Sequence, residues 1–201
     1  MKIPVLNKRR LAFLVRLQWS NDLNRFSVAL ISTGGTIEKT YLESEGMLAN
    51  GESVLSHMLK SLQLSGVEIE RINLMNKDSL EMTSEDHDII CEAVLREAEQ
   101  SDGVIVVHGT DRLTQTGELM AQKTRGASAI PIILTGAMRP WILRTTDAMQ
   151  NLTEALMAVQ LVDPGVYVCM HNRVLRFPGV EKDRDQLRFV PVSNEKLEVN
   201  S

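Results

Sequence analysis

From Ser27 onward, short β-branched runs alternate with longer segments of helical periodicity, and this alternation constrains the fold more than any other feature. It is typical of a parallel sheet whose strands are joined by crossover helices. The run from Val104 to Val107 is apolar throughout, as expected of a strand buried on both faces. The sequence therefore predicts an α/β fold. The predicted strands are Val28–Ser32, Val67–Leu74, Gly103–Val107, Pro131–Thr135 and Gly165–Met170.

The segments between these strands have the spacing of helices. In the clearest one, Ile90, Val94 and Ala98 recur every four residues, behind the N-cap candidates Thr83 and Ser84. Two others end at stop signals, one at a glycine and one at an Asp-Pro-Gly sequence. Helices on both faces of an open, mostly parallel sheet are expected. The predicted helices are Glu52–Leu64, Ser84–Gln100, Leu113–Arg125 and Thr146–Leu161.

Length and composition favour one folded domain. The chain has 201 residues, of which 43% are hydrophobic, so a second full domain would not fit beside the first. Residues 1–26 are basic whereas the rest of the chain is acidic. We interpret them as a poorly ordered extension ahead of a domain over residues 27–201. A signal peptide is the alternative, but the apolar stretch is short and no small-residue cleavage site follows.

The charge balance points to a small-molecule partner. A net charge of -4 argues against a general affinity for nucleic acid or for an anionic membrane surface. No apolar run approaches the roughly 20 residues that cross a bilayer. The two cysteines, Cys91 and Cys169, fall in a predicted helix and a predicted strand, so no disulfide framework is expected. A reducing compartment, the cytoplasm, is the natural prediction.

Two loops that follow predicted strands each place a threonine beside glycine. In an open parallel sheet the carboxyl ends of the strands face the ligand site, so these loops should carry the chemistry. Glycine allows a sharp turn and lets a substrate approach backbone N–H groups that could stabilise an oxyanion. Either loop alone could also be an ordinary tight turn. The two loops are Thr33-Gly34-Gly35-Thr36 and His108-Gly109-Thr110-Asp111.

A threonine hydroxyl needs a neighbouring base before it can act as a nucleophile at neutral pH. Lys182 could be that base, or it could be a solvated lysine in a charged run. His108 could be a catalyst or a packing residue at a strand end. Asp111 could bind a substrate ammonium or cap the following helix. The possible helpers are Lys182, Tyr41, Asp111, His108 and Glu118.

Three motifs, in order and at compatible spacing, resemble the N-terminal domain of bacterial L-asparaginases. They are Thr33-Gly34-Gly35-Thr36-Ile37, His108-Gly109-Thr110-Asp111 and Leu134-Thr135-Gly136-Ala137-Met138-Arg139-Pro140. The segment from Asp78 to Thr83 is similar to the family's substrate-carboxylate loop, and Asp147 with Asn151 resembles the start of the next helix. The resemblance covers roughly Ser27 to Val190. It implies a Rossmann or flavodoxin-like sheet.

The resemblance also implies roles for particular residues. Thr36 would be the nucleophile and Tyr41 the tyrosine that hydrogen-bonds it. Thr110, Asp111 and Lys182 would form a second cluster in which the lysine activates or supports a threonine. Ser79 would bind the substrate α-carboxylate and Asp111 the α-ammonium. Gly35 and Gly109 would contact the substrate through their backbone, and this chemistry requires no metal or organic cofactor.

The implied function is hydrolysis of the side-chain amide of L-asparagine, or of a similar small amide, through an acyl-enzyme. Full-length relatives carry a second domain, so the resemblance is to a short, single-domain form, expected to be a homodimer or higher homo-oligomer. Arg112 and Leu80 depart from the family pattern and leave open whether asparagine, glutamine or a D-amino acid is the substrate. Two alternatives remain. One is a non-catalytic amino-acid-binding or regulatory module, and the other is an amidotransferase subunit acting on aminoacylated RNA.

Overall fold

The computed structural model describes residues 25–44, 46–50 and 53–192. The described strands are β1 Phe26–Gly34, β2 Lys39–Leu42, β3 Met47–Asn50, β4 Val67–Lys77, β5 Gly103–Val107, β6 Pro131–Thr135, β7 Gly165–Met170, β8 Arg173–Arg176, β9 Val180–Asp183 and β10 Arg188–Pro191. The described α-helices are α1 Leu55–Lys60, α2 Ser84–Glu97, α3 Leu113–Lys123 and α4 Ala148–Leu161. The predicted α/β class is confirmed.

A six-stranded sheet forms the centre of the fold, in the order β4-β1-β5-β6-β7-β8. All neighbours are parallel except β7 and β8, which are antiparallel. The bounds predicted for β5, β6 and β7 are those of the structure, because each strand is an apolar run buried on both faces. Strands β1 and β4 extend beyond their predicted ends, since they pair from Phe26 with Val67 to Gly34 with Lys77.

Helices cover both faces of this sheet, as predicted. Helices α2 and α3 pack on one face through side chains such as Ile90 and Leu113. Helices α1 and α4 pack on the other through side chains such as Leu55 and Leu152. Successive residues of a strand point to opposite faces, so β1 contributes to both cores.

All four helices are shorter than predicted. Helix α2 begins as expected, with a capping box between Thr83 and Asp86, but ends at Glu97 in a turn. Helix α3 ends at Lys123, where Gly126 has a φ of 66° and donates to the Ala121 carbonyl at 2.9 Å. Helix α1 has six residues, Leu55–Lys60. These errors at helix ends leave the layer arrangement unchanged.

Five strands were not predicted, and one of them corrects the position of Lys182. The charged run that contains Lys182 was not assigned to any predicted strand, but Lys182 lies on β9, which pairs with β10 in a two-stranded sheet. Strands β2 and β3 form a second two-stranded sheet, and β8 adds an antiparallel edge to the central one. Each has four residues, mostly half-buried or exposed, which is too short to show a period-two pattern.

The predicted basic extension, residues 1–26, lies outside the described residues except for Arg25 and Phe26. None of the described helices is long and apolar enough to cross a membrane.

Candidate active site

The topology predicts a ligand crevice at the carboxyl ends of β1 and β5. These strands are neighbours, yet the chain leaves β1 toward α1 on one face and leaves β5 toward α3 on the other face. Ligands of open α/β sheets bind at such a reversal, because the two loops diverge and leave space between them. The two predicted threonine loops follow these two strands.

Glycines bring three loops into backbone contact at this point. A Cβ on Gly35 would lie 2.4 Å from the Gly109 Cα, and the φ of Gly35 is +82°. A Cβ on Gly109 would lie 2.5 Å from the Ser79 Oγ. Side chains at these positions would force the loops apart. The loops that carry Thr36, Thr110 and Ser79 therefore meet, as the sequence predicted.

A lysine joins Thr110 to Asp111. Lys182 Nζ donates to Thr110 Oγ1 at 2.8 Å and to Asp111 Oδ1 at 2.9 Å. The Lys182 side chain is only 9% exposed, so it is not the solvated lysine of the alternative interpretation. The alternative role of Asp111, as a cap of α3, is not observed. The N-cap residue of α3 is Arg112, and no side chain forms a cap hydrogen bond there. In the sequence Lys182 is 72 positions from Thr110 and 71 positions from Asp111, so it is the fold that brings these side chains together.

Glu118 positions the strand that carries this lysine. Its Oε1 accepts the backbone N–H groups of Gly179 at 2.7 Å and of Val180 at 3.1 Å. Val180 and Phe189 bury their side chains in the core, which attaches β9 and β10 to the sheet. Glu118 was a candidate helper for a threonine, and the structure places its carboxylate on the β9 backbone instead.

Thr36 and Tyr41 are not joined by a hydrogen bond. Thr36 begins a 3₁₀ helix, Thr36–Glu38, directly after the Gly-Gly turn, and is half-buried. Tyr41 lies on β2 with its side chain 57% exposed. No contact between their hydroxyls occurs among the residues that the structure describes. The role of Tyr41 as the partner of the nucleophile stays a prediction.

Ser79 is buried and begins the 3₁₀ helix Ser79–Glu81. The preceding Asp78 caps that helix through the Leu80 N–H, at 3.0 Å, and accepts from Lys39 Nζ at 2.6 Å. The hydrogen bond from Lys39 lowers the pKa of Asp78. Lys39 is the first residue of β2, so this ion pair ties the segment after Thr36 to the Ser79 loop.

His108 is fully buried, and both of its ring nitrogens lie within hydrogen-bond distance of a partner. Its Nδ1 lies 2.8 Å from the Gly109 carbonyl oxygen, and its Nε2 lies 2.8 Å from Thr116 Oγ1. Burial lowers the pKa of His108 to about 4. A neutral, hydrogen-bonded imidazole at a strand end agrees with the packing interpretation of this residue rather than with a general base.

Asp147 organises the loop between β6 and α4, which carries the third motif. Its carboxylate accepts the N–H groups of Met138 and Arg139, each at 2.9 Å, and the Asn151 side-chain amide at 2.9 Å. His171 Nε2 lies 2.7 Å from the same carboxylate. Asp147 was noted in the sequence only as part of the resemblance. Its partners were missed because hydrogen bonds from a loop backbone leave no mark on residue spacing.

Asp147→Ala is expected to lower the free energy of unfolding by about 3–5 kcal/mol at neutral pH, because several buried donors lose their acceptor. Burial alone would raise the pKa of Asp147, but the Met138 N–H, His171 and the Arg139 N–H together hold it below its ordinary value. A lowered carboxyl pKa stabilises the fold above about pH 4 and stops doing so as pH falls through the lowered value. Urea unfolding at several pH values should therefore show the variant and the wild type converging in acid.

Asp163→Ala is the matched control, since Asp163 is exposed just beyond the other end of α4. Its free energy of unfolding should stay within about 0.5 kcal/mol of the wild type. Equal losses for the two variants would contradict the role given to Asp147.

Within the described part of the chain, no group of three or more His, Cys, Asp or Glu residues could hold a metal ion. The titratable side chains of the crevice are instead engaged in pairs, such as Lys182 with Asp111.

Comparison with known proteins gives a consistent relationship. Residues 27–187 match the family model described as "Asparaginase, N-terminal". The chain is 30% identical over 153 residues to an L-asparaginase of Thermococcus kodakarensis, which covers 76% of this chain and 46% of the relative. It is 29% identical over 164 residues to one subunit of the glutamyl-tRNA(Gln) amidotransferase of Methanococcus vannielii, covering 79% of this chain and 37% of that protein.

A solved structure agrees. The thermostable L-asparaginase from Thermococcus kodakarensis superimposes with a TM-score of 0.73 at 28% identity, over 83% of this chain and 51% of that one. The chain thus spans about half the length of that structure, and less than half the length of the two curated relatives. With the matching model over residues 27–187 and the two threonine loops in contact, the chain belongs to the asparaginase family and corresponds to its N-terminal domain.

Proposed function

We propose that this domain hydrolyses the side-chain amide of L-asparagine, or of a similar small amide, to the acid and ammonia. The observation that carries the proposal is the position of Lys182 Nζ, at 2.8 Å from Thr110 Oγ1 and 2.9 Å from Asp111 Oδ1. A binding module would need groups for the substrate's carboxylate and ammonium, but it would have no use for a buried lysine on a threonine hydroxyl. The arrangement suits nucleophilic catalysis.

The proposed reaction has two steps. The Thr36 hydroxyl adds to the carboxamide carbon, the C–N bond breaks, and ammonia leaves with the hydroxyl proton while an ester forms on Thr36. Water then adds to the ester, the acid is released, and the proton returns to the Thr36 oxygen. Backbone N–H groups of the Gly35–Thr36 and Gly109–Thr110 turns are the candidate donors to the oxyanion in both steps.

Two groups at the crevice suit an α-amino acid. We propose that the Ser79 hydroxyl binds the α-carboxylate and that Asp111 binds the α-ammonium. Ser79 lies against Gly109. Asp111 supplies the carboxylate side chain that a substrate ammonium would need. Asp111 is already paired with Lys182, so its charge would be shared between the lysine and the substrate.

An ammonia-release assay tests the proposal on the purified full chain with L-asparagine, L-glutamine and D-asparagine. Release from at least one of them above the protein-free rate is expected. No release from any would contradict hydrolysis by this chain. Calorimetric titration with L-aspartate would then test the alternative, an amino-acid-binding or regulatory module, which requires binding without turnover.

The similarity to one subunit of a glutamyl-tRNA(Gln) amidotransferase supports a second candidate function. The chain would then supply ammonia to a partner protein instead of releasing it, with the same threonine and lysine. The same assay separates the two candidates if it is run with and without a candidate partner protein. Turnover that appears only with the partner would favour the amidotransferase role over a free-standing hydrolase.

A further inference from the structure

Three buried side chains form a hydrogen-bonded chain behind the His108–Asp111 loop. His108 Nε2 lies 2.8 Å from Thr116 Oγ1 on α3, and that oxygen lies 2.7 Å from His87 Nδ1 on α2. The exposed fractions of His108, Thr116 and His87 are 0%, 1% and 6%. The two imidazole rings are nearly parallel, at an interplanar angle of 7° and a centroid distance of 6.1 Å. The chain connects two helices to the loop that carries Thr110.

The neighbours of this chain fix the direction in which each hydrogen bond runs. The Gly109 carbonyl can only accept, so the His108 Nδ1 that lies 2.8 Å from it must carry the proton. In a neutral imidazole the other nitrogen, Nε2, is then an acceptor, and the Thr116 hydroxyl must donate to it. The Thr116 oxygen in turn accepts from His87 Nδ1. Both histidines are therefore the Nδ1–H tautomer, with Nε2 unprotonated.

The remaining nitrogen of His87 agrees with this assignment. Nε2 of His87 is a buried atom without a hydrogen-bond partner of normal geometry among the described residues, although the Gln115 side chain is near enough to raise the pKa of His87. In the assigned tautomer this atom is an acceptor with a free lone pair. The reverse direction would bring two acceptors, His108 Nδ1 and the Gly109 oxygen, to 2.8 Å from each other.

The last link of the chain acts on a peptide of the crevice. A trans peptide is planar, and its N–H points opposite to its C=O. The Gly109 carbonyl belongs to the same peptide unit as the Thr110 N–H. A hydrogen bond that holds this carbonyl toward His108 therefore turns the Thr110 N–H away from the buried histidine.

We propose that His87, Thr116 and His108 are positioning residues that set the orientation of the Thr110 N–H as an oxyanion donor. This inference rests on the proposed function, because attack on a carboxamide gives the oxyanion that this N–H would bind. The three residues touch no reacting atom and act through the Gly109–Thr110 peptide.

The surroundings of the chain favour neutral histidines at physiological pH. Burial and the neighbouring His87 lower the pKa of His108 to about 4, against the opposing effect of its hydrogen bond to the Gly109 carbonyl. Burial and the Arg112 guanidinium lower the pKa of His87, against the opposing effects of nearby groups such as Asp86 and Asp88. A hydrogen-bonded chain of fixed direction needs this neutral state.

Nitrogen NMR of the wild-type protein tests the direction of the hydrogen bonds among His87, Thr116 and His108 without any assay of activity. With 15N-labelled protein at pH 7, His87 and His108 should both show the signals of the Nδ1–H tautomer, which is the minor form of free histidine. His57 and His171 are the other two histidines, and single His→Gln variants would assign the signals. Finding His87 or His108 as the Nε2–H tautomer or as an imidazolium would overturn the proposal.

Thr116→Val, Thr116→Ser and Thr124→Val test the effect on the peptide. Thr124 lies just past the end of the same helix, and its hydroxyl donates to the Met120 carbonyl at 2.9 Å, so Thr124→Val removes a comparable hydroxyl outside the chain. The Thr110 amide signal should move in Thr116→Val, return in Thr116→Ser and stay in place in Thr124→Val. A Thr110 signal unmoved by Thr116→Val would overturn the proposal.

Kinetics give the functional readout. Thr116→Val should lower kcat for ammonia release about tenfold with KM changed by less than about twofold. A misaligned Thr110 N–H would still stabilise the oxyanion in part, so the loss is smaller than that from removing an oxyanion donor. Thr116→Ser should restore kcat, and Thr124→Val should match the wild type. An equal loss in both valine variants would overturn the positioning role. A wild type that releases no ammonia would refute the proposed function, whereas the nitrogen spectra would still decide the direction of the chain.

Discussion

Lys182→Met is expected to lower kcat for ammonia release by about 10³-fold while leaving the fold intact, because proton transfer by a positioned side chain contributes about 10²–10⁴-fold. Methionine keeps most of the length and apolar volume of lysine, so packing around the buried stem is preserved. It removes the only side-chain group that contacts both Thr110 Oγ1 and Asp111 Oδ1 among the described residues. The measurement is kcat from ammonia release, beside a thermal melt of each protein.

Lys123→Met is the control for this prediction. Lys123 pairs with Asp88 at 2.8 Å between α3 and α2, with 31% of its side chain exposed and far along the helix from Asp111. Its kcat should match the wild type. A second variant, Lys182→Ala, should regain part of its activity when ethylamine is added, because the amine can occupy the space left by the lysine. A kcat for Lys182→Met within about twofold of the wild type would refute the role of this lysine.

The strands that lie deepest in the fold were the most predictable from sequence. Strands β5, β6 and β7 are short apolar runs, and every residue in them is buried. Two-sided burial favours apolar residues throughout the strand, and the one buried hydroxyl at the end of β6, that of Thr135, donates to the Cys169 carbonyl at 2.8 Å. At the helix ends, burial decides less than local hydrogen bonds do. The end of α3 depends on the backbone of Gly126, whose effect a periodicity argument cannot locate to the residue.

The contact between the loops of the candidate site followed from topology. Loops after parallel strands meet at one edge of the sheet, so the meeting of the Gly35, Gly109 and Ser79 loops could be expected before any coordinates. What could not be expected is the contact of Lys182 with Thr110. It depends on β9 and β10, four-residue strands held to the core by Val180 and Phe189, and composition alone favoured a solvated lysine.

The support behind the crevice was also hidden from the sequence. His87 and Thr116 lie on different helices and 29 residues apart, and nothing in their spacing links them to His108. Asp147 binds two backbone N–H groups, which any sequence could supply. Polar groups of this kind are recognised by their burial and their partners, and both are properties of the tertiary structure.

Thr36→Ala is expected to abolish ammonia release, with a loss of kcat of at least about 10⁴-fold, because no ester can form without the hydroxyl. The exposure of the two threonines distinguishes their roles. Thr110 is 3% exposed and its hydroxyl is already bonded to Lys182, whereas Thr36 is half-buried and no described residue is bonded to its hydroxyl. A nucleophile must reach the substrate carbon, so Thr36 is the better placed of the two.

Trapping the ester decides between the threonines directly. Wild-type protein mixed with substrate and quenched in acid within one turnover should carry the acyl group, and mass spectrometry of its peptides should locate that group on Thr36. Thr110→Ser, which keeps a hydroxyl beside Lys182, should hydrolyse the amide within about tenfold of the wild type, since the hydrogen bond to the lysine survives. Thr36→Ala should still bind L-aspartate in a calorimetric titration, because Ser79 and Asp111 are unchanged. An acyl group on Thr110, or turnover retained in Thr36→Ala, would exchange the roles of the two hydroxyls and place the attacking oxygen beside Lys182 Nζ.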